Sequence, residues 1–593
     1  MRSKRFILAV LAASLLLAAA AQSQDVVTKA MKDEMARSVK DLRLPNVDKP
    51  YFIAYRVEEK RTTSISASLG ALTGSRTRDY RDLSVELRVG DYKLDNTNFL
   101  SMPSMRGMFS ASRGVPLDDN YGEIRRALWL ATDQAYKSAA KTLSAKRGVL
   151  AHREEASSLP DFAPEPTLNL DEPPAHLVYD RAALEKLARD LSGVFREYPD
   201  ILSSSVAIVV HDEYTRYLNS EGSWFTRADP LVMFSVSAET RAGDGLPLKD
   251  SIQLYGRSVE TLSHPAELMA RARALAAHVE ALRKAPAIDA YEGPVLFEGE
   301  AAGEAVAQVL APALTASRFP VTDQPEFETQ FRQVMERFGG NSLAGRLGGR
   351  VLPADFDISD QPRTATFEGK PLIGACQVDD DAVATRNLEL VDHGILKAVL
   401  ATRVPTEKTK ESTGSRHTMG ASPTNLIITT LEPKTADALK AELLSLAKER
   451  GLGYGILIRR AGPMGLSWAT RMGATQMGAG EPTAAEVYRV YPDGREELLR
   501  EVAVDPLTPS TFKDIVAAGQ PTVVYNGLFI PLASAMFGMA SLGGDSPSVV
   551  SYVTPSLLFD DVSLKKSSGP APNGPVAPSP LLALQPAGAA ARK

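Results

Sequence analysis

An α+β fold, with a mixed α/β N-terminal half and a β-rich C-terminal domain, is predicted by three features of this sequence. Leu83, Val85, Leu87 and Val89 alternate with Ser84, Glu86 and Arg88, the period-2 signature of a half-buried strand. Helical stripes recur at Leu184, Leu187, Leu191 and Val194 and at Leu268, Ala272, Leu275, Val279 and Leu282. Beyond residue 388 the strand pattern dominates. The composition is globular: 593 residues, 44% hydrophobic and 23% charged. That length holds about three or four domain-sized units. A net charge of −5 excludes the concentrated basic face that nucleic-acid binding requires. The single cysteine, Cys376, excludes an intrachain disulfide and any thiolate-rich zinc cluster, and is expected as a small apolar residue in the interior.

In chain order, Arg2, Lys4 and Arg5 precede an apolar run from Phe6 to Ala21, then small and polar residues. This is the pattern of a cleavable signal peptide over residues 1–23, too short to span a bilayer comfortably. The mature protein is therefore expected to be exported, periplasmic or extracellular, with no membrane span after signal removal. Residues 24–155 read as an α+β region, with strands from Tyr51 to Leu100 and a helix around Ile124–Leu143 that faces inward through Leu128, Thr132 and Ala135. Five prolines between Ala156 and Pro174 predict a surface linker or strap, since proline at that density interrupts helix and ladder alike. Residues 175–287 form the second part of the N-terminal α+β region: a helix capped by Asp180, strands Val206–Val210 and Leu231–Ala238, and a long helix opened by Pro265.

A boundary near residue 288 begins the C-terminal domain, residues 288–566. It opens with a strand, Pro294–Phe297, and a helix from Gly299 to Leu314. Strands follow at Leu388–Val391, Ile395–Leu400, Leu426–Thr430, Gly455–Arg459, Glu486–Tyr491 and Glu497–Val502. Asp392-His393-Gly394 and Asp493-Gly494 read as hairpin turns, with Asp and Gly taking positive φ. A helix capped by Thr435, striped by Leu439, Leu443 and Leu446 and stopped by Gly451, interrupts the strands. Residues 567–593 carry six prolines and read as a disordered tail.

Chemistry is sparse in the sequence. The nearest two histidines are His264 and His278, 14 apart, and His393 and His417 stand 24 apart; neither pair shares a helical turn. His278 is expected as a satisfied residue at the edge of the core and His393 as a solvated turn residue. Asp379, Asp380 and Asp381 lack the spacing of a calcium loop and read as a solvated turn. Ser412-Thr413-Gly414-Ser415-Arg416-His417 has the small residues and adjacent arginine of an anion-binding loop, or of a plain polar loop. Glycine-rich stretches at Gly339–Gly349 and Gly538–Gly544 read as turns. Glu300 and Glu304, one helical turn apart, form either an acid/base pair or a solvated face near a helix N-terminus.

Several segments, taken in order, resemble the TldD/PmbA family of peptidase-related proteins. They are Gly293–Gly303, Gly374–Arg386, Leu388–Leu400, Ser412-Thr413-Gly414 with Pro423-Thr424-Asn425-Leu426, Tyr491–Gly494, Thr554–Leu558 and Asp561-Val562. The resemblance covers roughly residues 290–565, with a weaker echo at Arg81–Asn98. It implies a C-terminal domain of the TldD/PmbA type and a family in which a zinc-bearing member pairs with a zinc-less one to cut peptides and unfolded chains inside a closed cavity. In the zinc-bearing member the ligands are His-Glu-x-x-x-His and a Cys near the C-terminus. On this chain the His positions fall at Phe297 and Ala302, the degenerate metal-site positions, and the Glu position at Glu298, the candidate catalytic residue. The loop that would supply the Cys, about Met539–Val549, has none, and Cys376 lies too early.

The resemblance thus implies the zinc-less type of subunit, with no cofactor in this chain and zinc expected only in a partner. Glu300, Glu304, Ser412, Thr413, Gly414 and Asn425 are the candidate substrate-binding residues for a peptide. The partner expected is a zinc-bearing TldD-like homologue or a second copy of this chain. A non-enzymatic, homodimeric peptide-binding or scaffold protein of the cell envelope is the alternative, as is residual hydrolysis by Glu298 and Glu300.

Overall fold

A computed structural model describes residues 25–568, apart from residues 46, 325, 327, 331, 332, 418 and 419 and segments 101–112, 154–158, 334–342, 472–480 and 530–547. The expected signal segment, nearly all of the tail, residues 339–342 of the first glycine-rich stretch, all of the second and most of Met539–Val549 lie outside the described residues. Among the described residues no helix is long and apolar enough to cross a membrane.

The first half builds an antiparallel sheet around a long hairpin. After α1 (Val26–Asp41), β1 (Pro50–Ser68) and β2 (Ala71–Val89) pair along nearly their whole length. Then come α2 (Tyr121–Leu150), β3 (Asn169–Asp171), α3 (Arg181–Gly193), β4 (Ser203–Asn219), β5 (Trp224–Ala228), β6 (Leu231–Arg241), β7 (Pro247–Gly256) and α4 (Pro265–Leu282). One edge of β4 takes β1; the other takes β6 along Ser203–His211 and β5 along Tyr214–Leu218. α1 and α2 cover Ile53, Tyr55 and Val57, and the Tyr55 hydroxyl, buried with them, lies 2.9 Å from Thr132 Oγ1. α3 and α4 cover Ile65, Val206, Ile208 and Phe234 through the leucine stripes legible in sequence.

The second half builds a larger mixed sheet. Its elements are β8 (Ala290–Phe297), α5 (Glu300–Ala305), β9 (Phe356–Asp360), β10 (Leu388–Asp392), β11 (Ile395–Leu396), β12 (Asn425–Thr430), α6 (Ala436–Glu449), β13 (Gly455–Arg460), β14 (Glu486–Val490), β15 (Glu496–Leu499), β16 (Val502–Val504), β17 (Ile515–Phe529) and β18 (Ser548–Lys566). The order is β11-β10-β9-β12-β18-β8-β13-β14-β15, with β16 and β17 also on β18. β18 is parallel to β12 and antiparallel to β8, β16 and β17. The α+β class and the β-rich C-terminal half are as the sequence predicts.

Four local expectations are corrected. The strand expected over Ile395–Leu400 stops at Leu396; Leu400 instead pairs its backbone with Leu314 and Ala316 beyond α5. The strand expected over Glu497–Val502 breaks at Glu501, whose φ of +59° turns the chain from β14 onto β18. In the Asp392-His393-Gly394 turn the positive φ values fall on His393 and Gly394, not on Asp392. The helix expected from Gly299 to Leu314 is interrupted by a π turn over Val306–Leu310.

The proline-rich segment runs along the surface over residues 164–174, as a strap does, but its start is buried. Asp161, Phe162 and Ala163 are buried, and Asn169–Asp171 adds a parallel strand to β5. The Phe162 ring lies between two guanidiniums, 3.6 Å from Arg88 and 4.0 Å from Arg403. Asp161 receives Lys146 at 2.5 Å and Arg318 at 3.3 Å. Arg403, fully buried, donates two parallel hydrogen bonds to Glu221 at 2.7 and 2.8 Å and a third to the Ala163 carbonyl at 2.9 Å. Prolines remove amide donors, but the carbonyls and side chains between them still find partners. Arg403→Lys keeps the charge but loses the fork and the stacking, so it is expected to cost about 2 kcal/mol. Thermal or urea unfolding measures this, and an unchanged midpoint would refute it.

Candidate functional site

The family-like segment ends β8 and opens α5. Gly299 has φ of +60° and donates its amide to Ser556 Oγ at 3.0 Å, a conformation that favours glycine. A Cβ on Gly303 would lie 2.5 Å from Tyr525 Cβ, so the missing side chain lets α5 rest directly on β17. Phe297 is fully buried with its ring 5.3 Å from that of Phe559, and Ala302 is fully buried as well. Glu298 is paired with Arg459 at 2.9 Å, and Arg459 also reaches Glu496 at 2.8 Å and lies over Tyr488. A phenyl ring and a methyl group offer a zinc ion no lone pair, and the intervening carboxylate is committed to an arginine. The residues present do not fit the family's zinc site.

Glu300 and Glu304 are not a solvated face. Glu304 is 5% exposed, and its Oε2 accepts the amides of Ala461 and Gly462 at the end of β13. Burial, reinforced by Glu300 one turn away, pushes its carboxyl up to about 8 despite those donors. It therefore stays neutral at pH 7. Gln308, the next residue on this stripe, donates to the Gly462 carbonyl at 2.8 Å and accepts the Leu466 amide at 3.0 Å. Burial also raises Glu300, against the opposing pull of Arg460. Arg460 itself bridges the two sheets, donating to Asp250 of β7 at 3.0 Å and to Glu486 of β14 at 3.0 Å. Next to it, His278 Nε2 lies 3.0 Å from the Ala485 carbonyl, the satisfied core-edge histidine expected.

A second polar centre surrounds Asp379, Asp380 and Asp381, where the sequence predicts a solvated turn. All three are buried, at 0%, 5% and 3% exposure. Asp380 takes Arg56 at 3.1 Å and Arg227 at 3.0 Å, both from the first sheet. Asp381 takes Arg416 at 2.8 Å, and Glu86 of β2 lies 3.7 Å from the same guanidinium. Asp379 accepts the amides of Asp381, Val383 and Arg416 at 2.8–3.0 Å. Burial beside Asp381 pushes Asp379 up, while those amides pull it down.

The Ser412–His417 loop does present an amide and an arginine to an anion, but the anions are the chain's own aspartates. The Ser412 and Thr413 hydroxyls donate to the Ala401 carbonyl, and Gly414 donates to Ser412 Oγ. Asn425 is equally internal: its carbonyl accepts the Gly374 amide at 3.1 Å and its amide group donates to Gln361 and Thr364. Cys376 Sγ lies 3.9 Å from His417 Nε2. Burial pushes the thiol up to about 12 and the imidazole down to about 4, so both stay neutral and the thiol is not activated.

The structure thus gathers Glu298, Glu300 and Glu304 around α5 and places Ser412, Thr413, Gly414 and Asn425 in the framework on the other side of β18. Arg460, Arg227, Arg56 and Tyr525 were not singled out from sequence. An isolated arginine or tyrosine in a strand carries no signal until its partner, often 150 or more residues away, is known.

Residues 291–566 match the model of a family described as the PmbA/TldA metallopeptidase C-terminal domain. No curated protein matches the sequence. The fold is similar to that of a candidate modulator of a DNA gyrase from Thermotoga maritima, at 15% identity, covering 91% of this chain and 99% of that one, TM-score 0.54. It is similar also to TldE from Thermococcus kodakarensis, at 14% identity, 90% and 99% coverage and TM-score 0.53. A third likeness is to another candidate gyrase modulator, from Bacteroides thetaiotaomicron, at 12% identity, 91% and 98% coverage and TM-score 0.53.

The raised carboxyl of Glu304 sets a pH dependence. In the unfolded chain it ionises near the ordinary glutamate value; folded, it holds its proton to about pH 8. Its contribution to stability is full below the unfolded value and is lost as pH rises toward 8. Glu304→Gln keeps the carbonyl acceptor without the titration, so the variant should lose less unfolding midpoint than the parent between about pH 5 and 8. Parallel slopes for the two proteins would refute this.

Proposed function

We propose that this chain, which belongs to the TldD/PmbA family by its residues 291–566, is an exported, zinc-less subunit that shapes a peptide-holding chamber, with a zinc-bearing homologue of the same compartment doing the cleavage. The observation that carries this reading is the chemistry at the family's ligand positions: Phe297 and Ala302 are packed into the core, and Glu298 faces Arg459. A bound zinc ion lowers the pKa of water from about 15.7 to about 7, which supplies a nucleophile at neutral pH. A carboxylate already neutralised by a guanidinium supplies no comparable activation. The neutral Glu304 of α5 lacks the charge of a general base at pH 7. What the chain's own residues do here is structural: they hold the β8–α5 corner rigid with amide, arginine and aromatic contacts.

Export rests on the basic start and apolar run of residues 1–23, which match a signal segment. Peptide cleavage by the isolated chain, with and without added zinc, tests the catalytic part. Turnover at background is expected, and Glu298→Gln should leave it there; zinc-dependent turnover that Glu298→Gln abolishes would overturn the reading. Affinity purification from the native envelope is expected to bring down a homologue carrying His-Glu-x-x-x-His. Recovery of the chain solely as a self-dimer would favour the homodimeric scaffold instead.

A further inference from the structure

We propose that Asp357, Asp392 and His393 form a divalent-cation site, of the class that takes zinc or manganese, on the second sheet and separate from the family's zinc position. Asp357 lies on β9, three strands from β8 in the sheet order. One oxygen from each aspartate and one imidazole nitrogen all fall within 4.8 Å of one another, the one such group of three among the described residues. His393 Nδ1 is 2.6 Å from Asp392 Oδ1 and 3.6 Å from Asp357 Oδ1.

The donors are held in place by the backbone. His393 takes φ of +48°, a conformation that a residue with a Cβ adopts infrequently, and Gly394 follows at +75°. The His393 amide donates to Asp357 Oδ1 at 2.7 Å, which ties the turn to β9. Gly394 donates to the Phe356 carbonyl at 2.9 Å and accepts the Val351 amide at 2.8 Å, and the His393 carbonyl accepts Arg350 at 3.2 Å. A Cβ at Gly394 would sit 2.4 Å from the Leu352 and Pro353 carbonyls, so the turn packs against that backbone and has no room for a side chain there. The imidazole is thereby fixed beside two carboxylates.

A divalent ion takes the place of the hydrogen shared by His393 Nδ1 and Asp392 Oδ1, while Lys397 pairs with the other oxygen of Asp392, Oδ2, at 3.0 Å. One imidazole nitrogen with two carboxylate oxygens suits zinc or manganese, whereas calcium takes six to eight oxygens and copper(I) seeks thiolates. His393 is 64% exposed, so water completes the coordination sphere.

Zinc chloride titrated calorimetrically into the full chain at about pH 7.5 tests this. One saturable site per chain is expected, weakened at least about tenfold by Asp357→Asn and by His393→Asn. Asparagine tolerates the left-handed turn, so equal melting temperatures of His393→Asn and parent without metal would show that folding is intact. Affinity should fall as pH drops through the imidazole range, and Cys376→Ser should leave it unchanged. No saturable binding, or zinc binding as tight in His393→Asn as in the parent, would overturn the site. Zinc binding without peptide turnover supports the site and leaves the proposed function standing.

Discussion

The two sheets of this protein are held against each other by buried arginine–carboxylate pairs, and the placement of the rest follows from that. Arg56 and Arg227 of the first sheet converge on Asp380, Arg416 joins Asp381 to Glu86, and Arg460 reaches across to Asp250. A charge removed from water is tolerated only when an opposite charge and good hydrogen bonds meet it, so each pair admits few relative positions of its two strands. Apolar contact could hold the sheets together at many angles; guanidinium forks cannot. Arg88 and Arg403 extend the same lattice, clasping Phe162 and so drawing the proline-rich strap into the junction.

β18 organises the second half in a different way. Four strands pair with it, and its Ser556 and Phe559 meet the β8–α5 corner directly. At the corner Gly299 takes the positive φ that turns the strand into the helix, and Gly303 lets α5 rest against Tyr525 of β17. The side chains the corner carries into the core are a phenyl ring and a methyl group, Phe297 and Ala302. The corner therefore serves packing, and the polar groups next to it, Glu304 and Gln308, close the backbone of β13 and the turn after it.

Much of the fold was legible before any coordinates. The stripes of α3, α4 and α6, their caps at Asp180 and Thr435 with Pro265 opening α4, and the alternation along β6 all reflect one-sided burial, which periodicity reports faithfully. What was misread shares one cause. Asp379–Asp381, Glu300 and Glu304 look solvated because charged residues usually are, and the arginines and amides that receive them lie up to hundreds of residues away in sequence. The strap at Asp161–Ala163 was misplaced for the same reason. Cation site candidates suffered too: Asp357 stands 36 residues from His393, and only the register of β9 on β10 brings them together.

By itself the sequence determined the α+β class, the order of most helices and strands, and that Phe297 and Ala302 stand where the resemblance places zinc-binding histidines. These depend on local periodicity and on residue identity, both of which a single chain displays. Tertiary structure alone decided which charges are buried, which partners neutralise them, and that Glu304 keeps its proton at neutral pH. Those properties depend on distance and dielectric surroundings, and neither exists until the chain has folded.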